Sequence, residues 1–473
     1  MFSCCFPALR SRFILFFLCF LSSHFLWTDS VFCTSYYVDP SGSDIAPGNQ
    51  ASPWKTITRA ANTLVAGDIV YIGSGTYPER LIPLNSGSSG LYITYTIQDG
   101  AVAVIDGATI TLPSYDSGII QIENKSHIKI SGLQIHNAGP NLNNCGIYIE
   151  NSDNIIIEKN TTYNTVSSGI GVWDSTSVII DGNEVELACN DGEQECITVA
   201  ATSGFEVKNN HVHHNGPGTN GGEGIDAKDG SSNGQIYGNH VHDLSRLGIY
   251  VDAWDKHTHD IEIYRNRIYN CQNDGITIAS EMGGLLERIS IVNNIIHENL
   301  NNGISITPNG DVAQPPMSKI YVINNTLYNN GDGSVPNPWG GGIAVDNPNI
   351  DTLVIRNNIF SRNLLFQILL EVSVNGLSVD HNLIDGYRGY DGETKGSSFV
   401  EGNPLFLNAA NGDFYLGSAS PAIDNGSSLQ APNEDFDSIQ RPQGSGFDIG
   451  AFEYIFQAGQ AGKVFPGILM LLL

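Results

Sequence analysis

A short phrase built on Gly-Ile returns along the middle of the chain, and a second phrase ending in asparagine follows it at a nearly fixed distance. The first is written CGIYIE, SGIGVWD, ECITVAA, EGIDAKD, LGIYVDA, DGITIAS, NGISITP and GGIAVDN between residues 145 and 347, mostly at intervals of 23 to 28 residues. The second ends on Asn160, Asn183, Asn210, Asn239, Asn266, Asn294, Asn325, Asn358 and Asn382. Apolar residues alternate with period two inside both phrases, as in short strands with one face buried. One such unit cannot bury its apolar face alone, but stacked units bury it in a continuous column. Two or three short strands per turn of ~25 residues predict an all-β parallel β-helix, a solenoid of about nine or more rungs. A β-propeller is the runner-up, although its blades need more strands and longer repeats. The recurring Asn should bond to the backbone at a bend and to its equivalent one rung away, satisfying groups the bend would orphan.

Composition agrees with a turn-rich β protein: 52 glycines and only 15% charged residues. The formal charge of −27 argues against nucleic acid or an anionic bilayer as partner, and favours cations such as calcium. It would also repel an acidic polysaccharide unless a cation or basic group intervened.

The chain divides into a signal peptide (1–33), an N-terminal cap with the first rungs (34–110), β-helix repeats (111–403), a closing module (404–455) and an apolar tail (456–473). Arg10 and Arg12 precede an apolar run from Phe13 to about Trp27, the layout of a secretory signal. A retained anchor is the alternative, since the run is near the shortest length for a span. The final PGILMLLL is too short to span and reads either as a frayed end or as the start of a lost anchor. An open solenoid end needs a cap. Trp54, Ile57, Ala60, Ala61 and Leu64 recur at helical spacing and predict a short capping helix.

In each Gly-Ile strand, residues one and three after Gly should point inward, and residues two and four outward. The outward columns read Tyr148, Gly171, Thr198, Asp226, Tyr250, Thr277 and Ser305 beside Glu150, Trp173, Ala200, Lys228, Asp252, Ala279 and Thr307. Charge gathers on two consecutive rungs, where Glu193, Glu195, Glu223, Arg246, Asp255, Lys256 and His257 add to it. Acids from neighbouring rungs suit Ca²⁺, a hard cation that takes six to eight oxygens. Such an ion could hold a uronate carboxylate and stabilise the charge left when the adjacent proton is removed. A Lys base must be partly neutral; calcium would depress its pKa, whereas Asp252 alone would raise it. An exposed ion pair between Lys228 and Asp252 is the plainer alternative. Trp173, Tyr250 and Trp254 could stack on sugar rings, or pack beneath the loop 253–259.

The stretch YYVDPSGSD…SPWKTITRAANTL…GDIVYIGSGTYPE resembles the N-terminal module of secreted right-handed β-helix proteins, including pectate-lyase-like and chondroitinase-B-like polysaccharide lyases. PLFLNAANGDFYLGSASPAIDNGS…RPQGSGFDIGAFEY resembles the closing module of many bacterial surface β-helix proteins. In the family 9 type of pectate lyase a D-D-G-F-D phrase helps bind calcium and a lysine on a following rung is the base. Here G-E-G-I-D matches at Glu223 and Asp226, lacks the leading Asp, and has Tyr250 in the lysine column. Chondroitinase-B-like enzymes use E-x-x-x-x-K followed by Arg, a spacing met by Glu223, Lys228 and Arg246.

The resulting expectation is a secreted or cell-surface, Ca²⁺-assisted lyase cleaving an acidic polysaccharide by β-elimination. Lys228 is the base and Arg246 its electrostatic partner. Glu195, Glu223 and Asp226 are calcium ligands, and Trp173, Tyr250, Asp252, Trp254, Lys256 and His257 contact substrate. A uronate epimerase and a non-catalytic carbohydrate-binding or adhesive β-helix are the alternatives. No nucleic acid partner and no membrane span in the mature chain are expected, and a monomer is. His211, His213, His240 and His242 could bind zinc, but a His stack alternating with Val212 and Val241 is the simpler reading. Cys189 and Cys196 are close enough in sequence for a local disulfide; buried free thiols fit equally. Asn124, Asn160, Asn324 and Asn425 lie in glycosylation sequons.

Overall fold

Alternation within the Gly-Ile strands sorts residues as their period requires. Ile225 and Ala227, Ile249 and Val251, and Ile276 and Ile278 are all fully buried and belong to one continuous apolar core. Each buried Ile contributes about 1.5–3 kcal/mol over an exposed one, and the core extends from Val38 to Ile384. This is a computed structural model, and it describes residues 33–216, 221–308, 315–334 and 338–455. Nearly all of the expected signal peptide (1–33) and the apolar tail (456–473) lie outside the described residues. No described helix is long and apolar enough to cross a membrane.

Among the described residues the chain coils into three parallel sheets. Two have thirteen strands, running from Ser35–Val38 to Asn375–Asp380 and from Gly75–Tyr77 to Val400–Glu401; the third has ten, from Ser117–Glu123 to Ile368–Leu370. Neighbouring strands in every sheet come from successive turns of the chain, as in the pairing of Ile197 with Ile225 and of Ile225 with Ile249. The molecule is therefore an all-β parallel solenoid, as the repeats predict.

The bend between the first and second sheets is made by the asparagines. Asn183 Nδ2 donates to Asn210 Oδ1 at 3.0 Å, Asn210 to Asn239 at 3.0 Å and Asn239 to Asn266 at 2.9 Å, and the file continues to Asn382. Each amide also donates to a strand carbonyl, as Asn239 Nδ2 does to Val207 O at 2.9 Å. The residue before each ladder Asn takes the left-handed conformation. Gly182 and Gly238 (φ 64° in both) adopt it without the Cβ penalty that Lys159, Asn209 and Arg265 carry at φ 54–55°. A second file, Asn299–Asn330–Asn363, runs at the next bend. The sequence reading missed it because those asparagines close no apolar phrase.

The N-terminal helix spans Ile57–Ala61, with Thr56 Oγ1 accepting from Arg59 N at 3.0 Å. Its remaining orphan donors are met from a distance: Glu79 accepts from Ile57 N and Thr58 N at 2.9 and 2.8 Å. Trp54, Ile57, Ala60, Ala61 and Leu64 are all buried. The C-terminal module folds back along the coil rather than continuing it. Arg265 reaches Glu434 at 2.7 Å, Asn324 Nδ2 donates to Asp448 O at 3.0 Å, and Ile359 and Leu383 pack with Leu416, Ala422 and Ile449. Cys189 and Cys196 stand as buried free thiols, and Cys189 Sγ donates to Gln194 O at 2.8 Å.

Candidate functional site

The outward residues of the third sheet stand in the columns that the alternation predicts. Tyr148 pairs with Gly171, Gly171 with Thr198, Thr198 with Asp226, and Asp226 with Tyr250, while Glu150 pairs with Trp173 and Ala200 with Lys228. Over the rungs from Glu195 to Glu371 these columns form the floor of a groove of about 730 Å³. Its walls come from the segments that enter and leave each strand.

Lys228 lies in this groove, held by acids of its own rung and the one before. Its Nζ is 2.7 Å from Glu195 Oε1 and 3.8 Å from Asp226 Oδ2, and 3.4 Å from Gln194 Oε1. Its partner is thus Glu195, not an exposed pair with Asp252 as the plainer sequence reading had it, and its side chain is only 17% exposed. Glu195 is fixed in turn by Thr198 Oγ1, which donates to Glu195 Oε2 at 2.8 Å. On the next rung Arg246 Nε meets Glu223 Oε1 at 2.8 Å. Tyr250 hydrogen-bonds Glu281, and Asp252 Oδ1 accepts from Trp254 N at 2.9 Å.

The groove is overloaded with carboxyl groups. Glu195, Glu223, Asp226 and Asp252 are all buried, and Asp226 Oδ1 has no hydrogen-bond partner. Burial, then repulsion from Glu195, pushes Glu223 up to about 7. Burial, then Glu281, pushes Asp252 up to about 8. Asp226 rises well above the carboxylate range through burial, Glu195 and Asp252. Lys228 shows the complement: burial disfavours its charge, but Glu195 and Asp226 outweigh burial and hold it protonated.

Among the expected calcium ligands, Glu195 and Asp226 converge on the Lys228 ammonium and Glu223 on Arg246. Their oxygens are hard donors, and the unpartnered Asp226 Oδ1 suits a cation. The set does not close around one point, however. Among the described residues, the only groups of three or more potential ligand atoms lying within 4.8 Å of one another are built on histidines. An ion held by these three acids would displace the lysine from its two carboxylates.

Tyr250, Asp252 and Trp254 line the groove with Lys228 and Arg246; Trp173, Lys256 and His257 do not. Trp173 stacks on Tyr148, ring centroids 5.0 Å apart, and lies over Gly171. His257 Nε2 is 3.3 Å from Glu287 Oε2, and Lys256 is exposed beside Gly230. The groove also takes in Asp274, Glu281, Trp339, Asp346 and Glu371, which the sequence reading passed over. A weak signal was present: Asp346 falls at the outward fourth place of GGIAVDN, beyond the two rungs where charge was concentrated.

Comparison with known proteins agrees with this architecture. The family model described as Pel9A-like, right handed beta helix region, matches residues 36–242, and the model described as right handed beta helix region matches 219–347 and 254–427. Uncharacterized protein YwoF of Bacillus subtilis (strain 168) is 28% identical over 437 residues, covering 82% of this chain and 91% of that protein. Among solved structures, pectate lyase Pel9A superposes with a TM-score of 0.54 at 15% identity, over 90% of this chain and 97% of the other. The complex of XylC with xylose gives 0.58 at 14% identity, over 89% and 99%. The chain is a right-handed parallel β-helix protein. Within that class it resembles the pectate-lyase-like proteins.

Proposed function

We propose that this chain acts on an acidic, uronate-containing polysaccharide outside the cell or in the envelope, and cleaves it by β-elimination in the Lys228 groove. The observation that carries the reading is the enclosure of one ammonium by Glu195 and Asp226 beneath an open groove. The Pel9A-like match and the pectate lyase superposition supply the architecture in which such a reading is reasonable; the residues supply the rest.

Lys228 is the proton acceptor for the carbon beside the uronate carboxylate. In the cation-free protein it is charged and cannot accept. A cation drawn to the unpartnered Asp226 Oδ1 would compete with the ammonium for its carboxylates and favour the neutral amine, although the three acids as they stand do not close around one ion. Arg246, anchored on Glu223, presents a guanidinium to the substrate's acidic groups. Trp254 at 48% exposure and Trp339 at 52% offer apolar faces for sugar rings along the rim. Asp252, protonated near neutrality, is a donor to sugar oxygens rather than a further repulsive charge.

The same clamp on Lys228 favours a second reading: without a cation the groove has no free base and acts as a carbohydrate-binding face. Incubation with pectate, alginate and chondroitin, with calcium or with chelator, separates the two through the absorbance of the unsaturated product. Calcium-dependent product formation that vanishes in Lys228→Ala is expected. Sugar binding without product in either condition overturns the lyase and leaves the binding reading.

A further inference from the structure

On a different face, the second sheet carries a cluster that the groove does not use. Glu184, His211 and His240 follow one another in register, and Glu186, His213 and His242 run beside them. Val212 and Val241 turn inward between them and are fully buried, so the polar side chains share the outer face. Glu184 Oε1 lies 3.5 Å from His213 Nε2 and 3.9 Å from His211 Nδ1. Those separations are long for hydrogen bonds. They are near the ~3.3 Å spacing expected between ligands at ~2.0–2.1 Å from one tetrahedral zinc.

The surrounding hydrogen bonds decide which nitrogens hold protons. The Asp243 carboxylate can only accept, so His242 Nδ1, 2.6 Å from Asp243 Oδ2, is the donor. His242 Nε2 is then an acceptor, and the 2.7 Å contact with His211 Nε2 puts the proton on His211 Nε2. The lone pair of His211 is left on Nδ1, the atom facing Glu184. His213 reaches the same state on its other edge. Its Nδ1 is 2.7 Å from His214 Nδ1, whereas its buried Nε2 has no hydrogen-bond partner. His214 Nε2 faces the Asp243 carboxylate at 3.9 Å, which favours its proton there and leaves His214 Nδ1 to accept from His213 Nδ1, so the His213 lone pair is on Nε2, again facing Glu184. Two imidazole lone pairs and a carboxylate oxygen therefore converge with no proton between them, which is repulsive unless a cation is shared.

We infer that Glu184, His211 and His213 form a binding site for a zinc-class divalent ion, with a fourth, solvent-facing position. Glu184 and His211 are 46% and 32% exposed on their side chains, giving the ion a route in, while His213 at 9% anchors the inner side. Two nitrogens and one oxygen suit Zn²⁺ over calcium. The ion joins the rung of Glu184 to that of His211 and His213, and His242–Asp243 on the third rung orients one ligand. The alternative trio of His211, His240 and His242 also lies within 4.8 Å. It is the weaker candidate, because His211 and His242 already share a proton and His240 Nε2 is bonded to Tyr269 OH at 3.0 Å.

The test is zinc titration of tag-free protein stripped with chelator, read by calorimetry, by metal content after dialysis, and by melting temperature in excess calcium. One tightly bound zinc per chain and a raised melting temperature are expected. Glu184→Gln and His213→Gln should each weaken binding tenfold or more, Asp243→Asn by a similar factor, and His240→Gln by less than twofold. Should His213→Gln fold poorly, the half-exposed Glu184→Gln carries the test alone. Absence of a tight equivalent in the parent protein, or a Glu184→Gln variant that binds as tightly as the parent, overturns the site. So does a larger loss in His240→Gln than in Glu184→Gln.

Discussion

Glu195 Oε1 and Lys228 Nζ meet at 2.7 Å across two adjacent rungs, in a groove where both side chains are mostly withdrawn from water. Glu195 is the largest of the influences that raise the lysine's proton affinity, ahead of Asp226 and Asp252. Glu195→Gln should therefore lower that affinity and loosen the side chain. The expected outcome is several-fold faster acylation of Lys228 at neutral pH, read by mass spectrometry of the labelled peptide. A second consequence is lower stability, by roughly 3 kcal/mol if the pair behaves as buried pairs do when one partner is lost. An unchanged labelling rate would mean that Glu195 does not hold the proton in place.

The same crowding of acids gives a pH dependence with a definite sign. Glu223 is raised from 4.5 to about 7 and Asp252 from 3.8 to about 8. Between those limits these two groups bind more protons in the folded chain than in the unfolded one, so their contribution to stability falls as pH rises. The contribution of these two groups is complete below about pH 4 and is lost on passing about 7 and about 8. Histidines held below the usual imidazole range by burial, such as His136 and His297, contribute the opposite trend, so the groove is read by difference. In chelator, the melting temperature of the parent relative to Glu223→Gln and to Asp252→Asn should fall from pH 5 to pH 8.5, and calcium should reduce that fall if the groove takes the ion. A parent–variant difference that stays flat or rises over this range contradicts the protonation states assigned to the groove.

The sequence disclosed the columns of this site but not its contacts, and the reason is geometric. Period-two alternation determines which residues leave the wall, so Asp226, Lys228, Tyr250 and Asp252 were legible as one outward patch. The asparagine file was legible for the same reason: its position is set by the strand that precedes it. Glu195 as the partner of Lys228 was not. It stands before its strand, in the entry segment, where the path of the backbone depends on loop conformation rather than on strand period. Asp274, Glu281 and Glu371 were missed likewise, because they reach the groove from the segments that flank the strands. Trp173 was placed correctly in its column, but the small Gly171 beside it lets the indole fold down onto Tyr148.

The asparagine file makes a prediction about the coil itself. Asn239 donates to Asn266 Oδ1 and to Val207 O, both at 2.9 Å, and its Oδ1 accepts from Asn210 N and Asn210 Nδ2 at 3.0 Å. Asn239→Ala takes these partners from Val207 O and Asn210 N on one neighbouring rung and one of two donors from Asn266 Oδ1 on the other, at about 1–3 kcal/mol for each unsatisfied group. A large drop in melting temperature is expected. Asn382 ends the file, so Asn382→Ala should disrupt one neighbouring rung rather than two. Equal losses at the two positions would show that the amides act separately rather than as a connected file.

Trp254 tests whether the rim of the groove touches substrate. Its indole is 48% exposed, while its backbone N–H is held by Asp252 Oδ1 at 2.9 Å. The ring can therefore be removed while that backbone tether stays. Trp254→Ala should leave the melting temperature within about a degree, because an exposed side chain contributes little to folding. If the ring stacks on a sugar, the loss is about 0.5–1.5 kcal/mol, or roughly a two- to twelve-fold weaker oligosaccharide Kd. Trp173→Ala, which removes a ring packed on Tyr148 away from the groove, should do the reverse: lower stability and unchanged affinity. Calorimetric titration of both variants with uronate oligosaccharides reads the difference. If Trp173→Ala weakens binding and Trp254→Ala does not, the substrate path runs over the earlier rungs and the groove around Lys228 is not where the sugar lies.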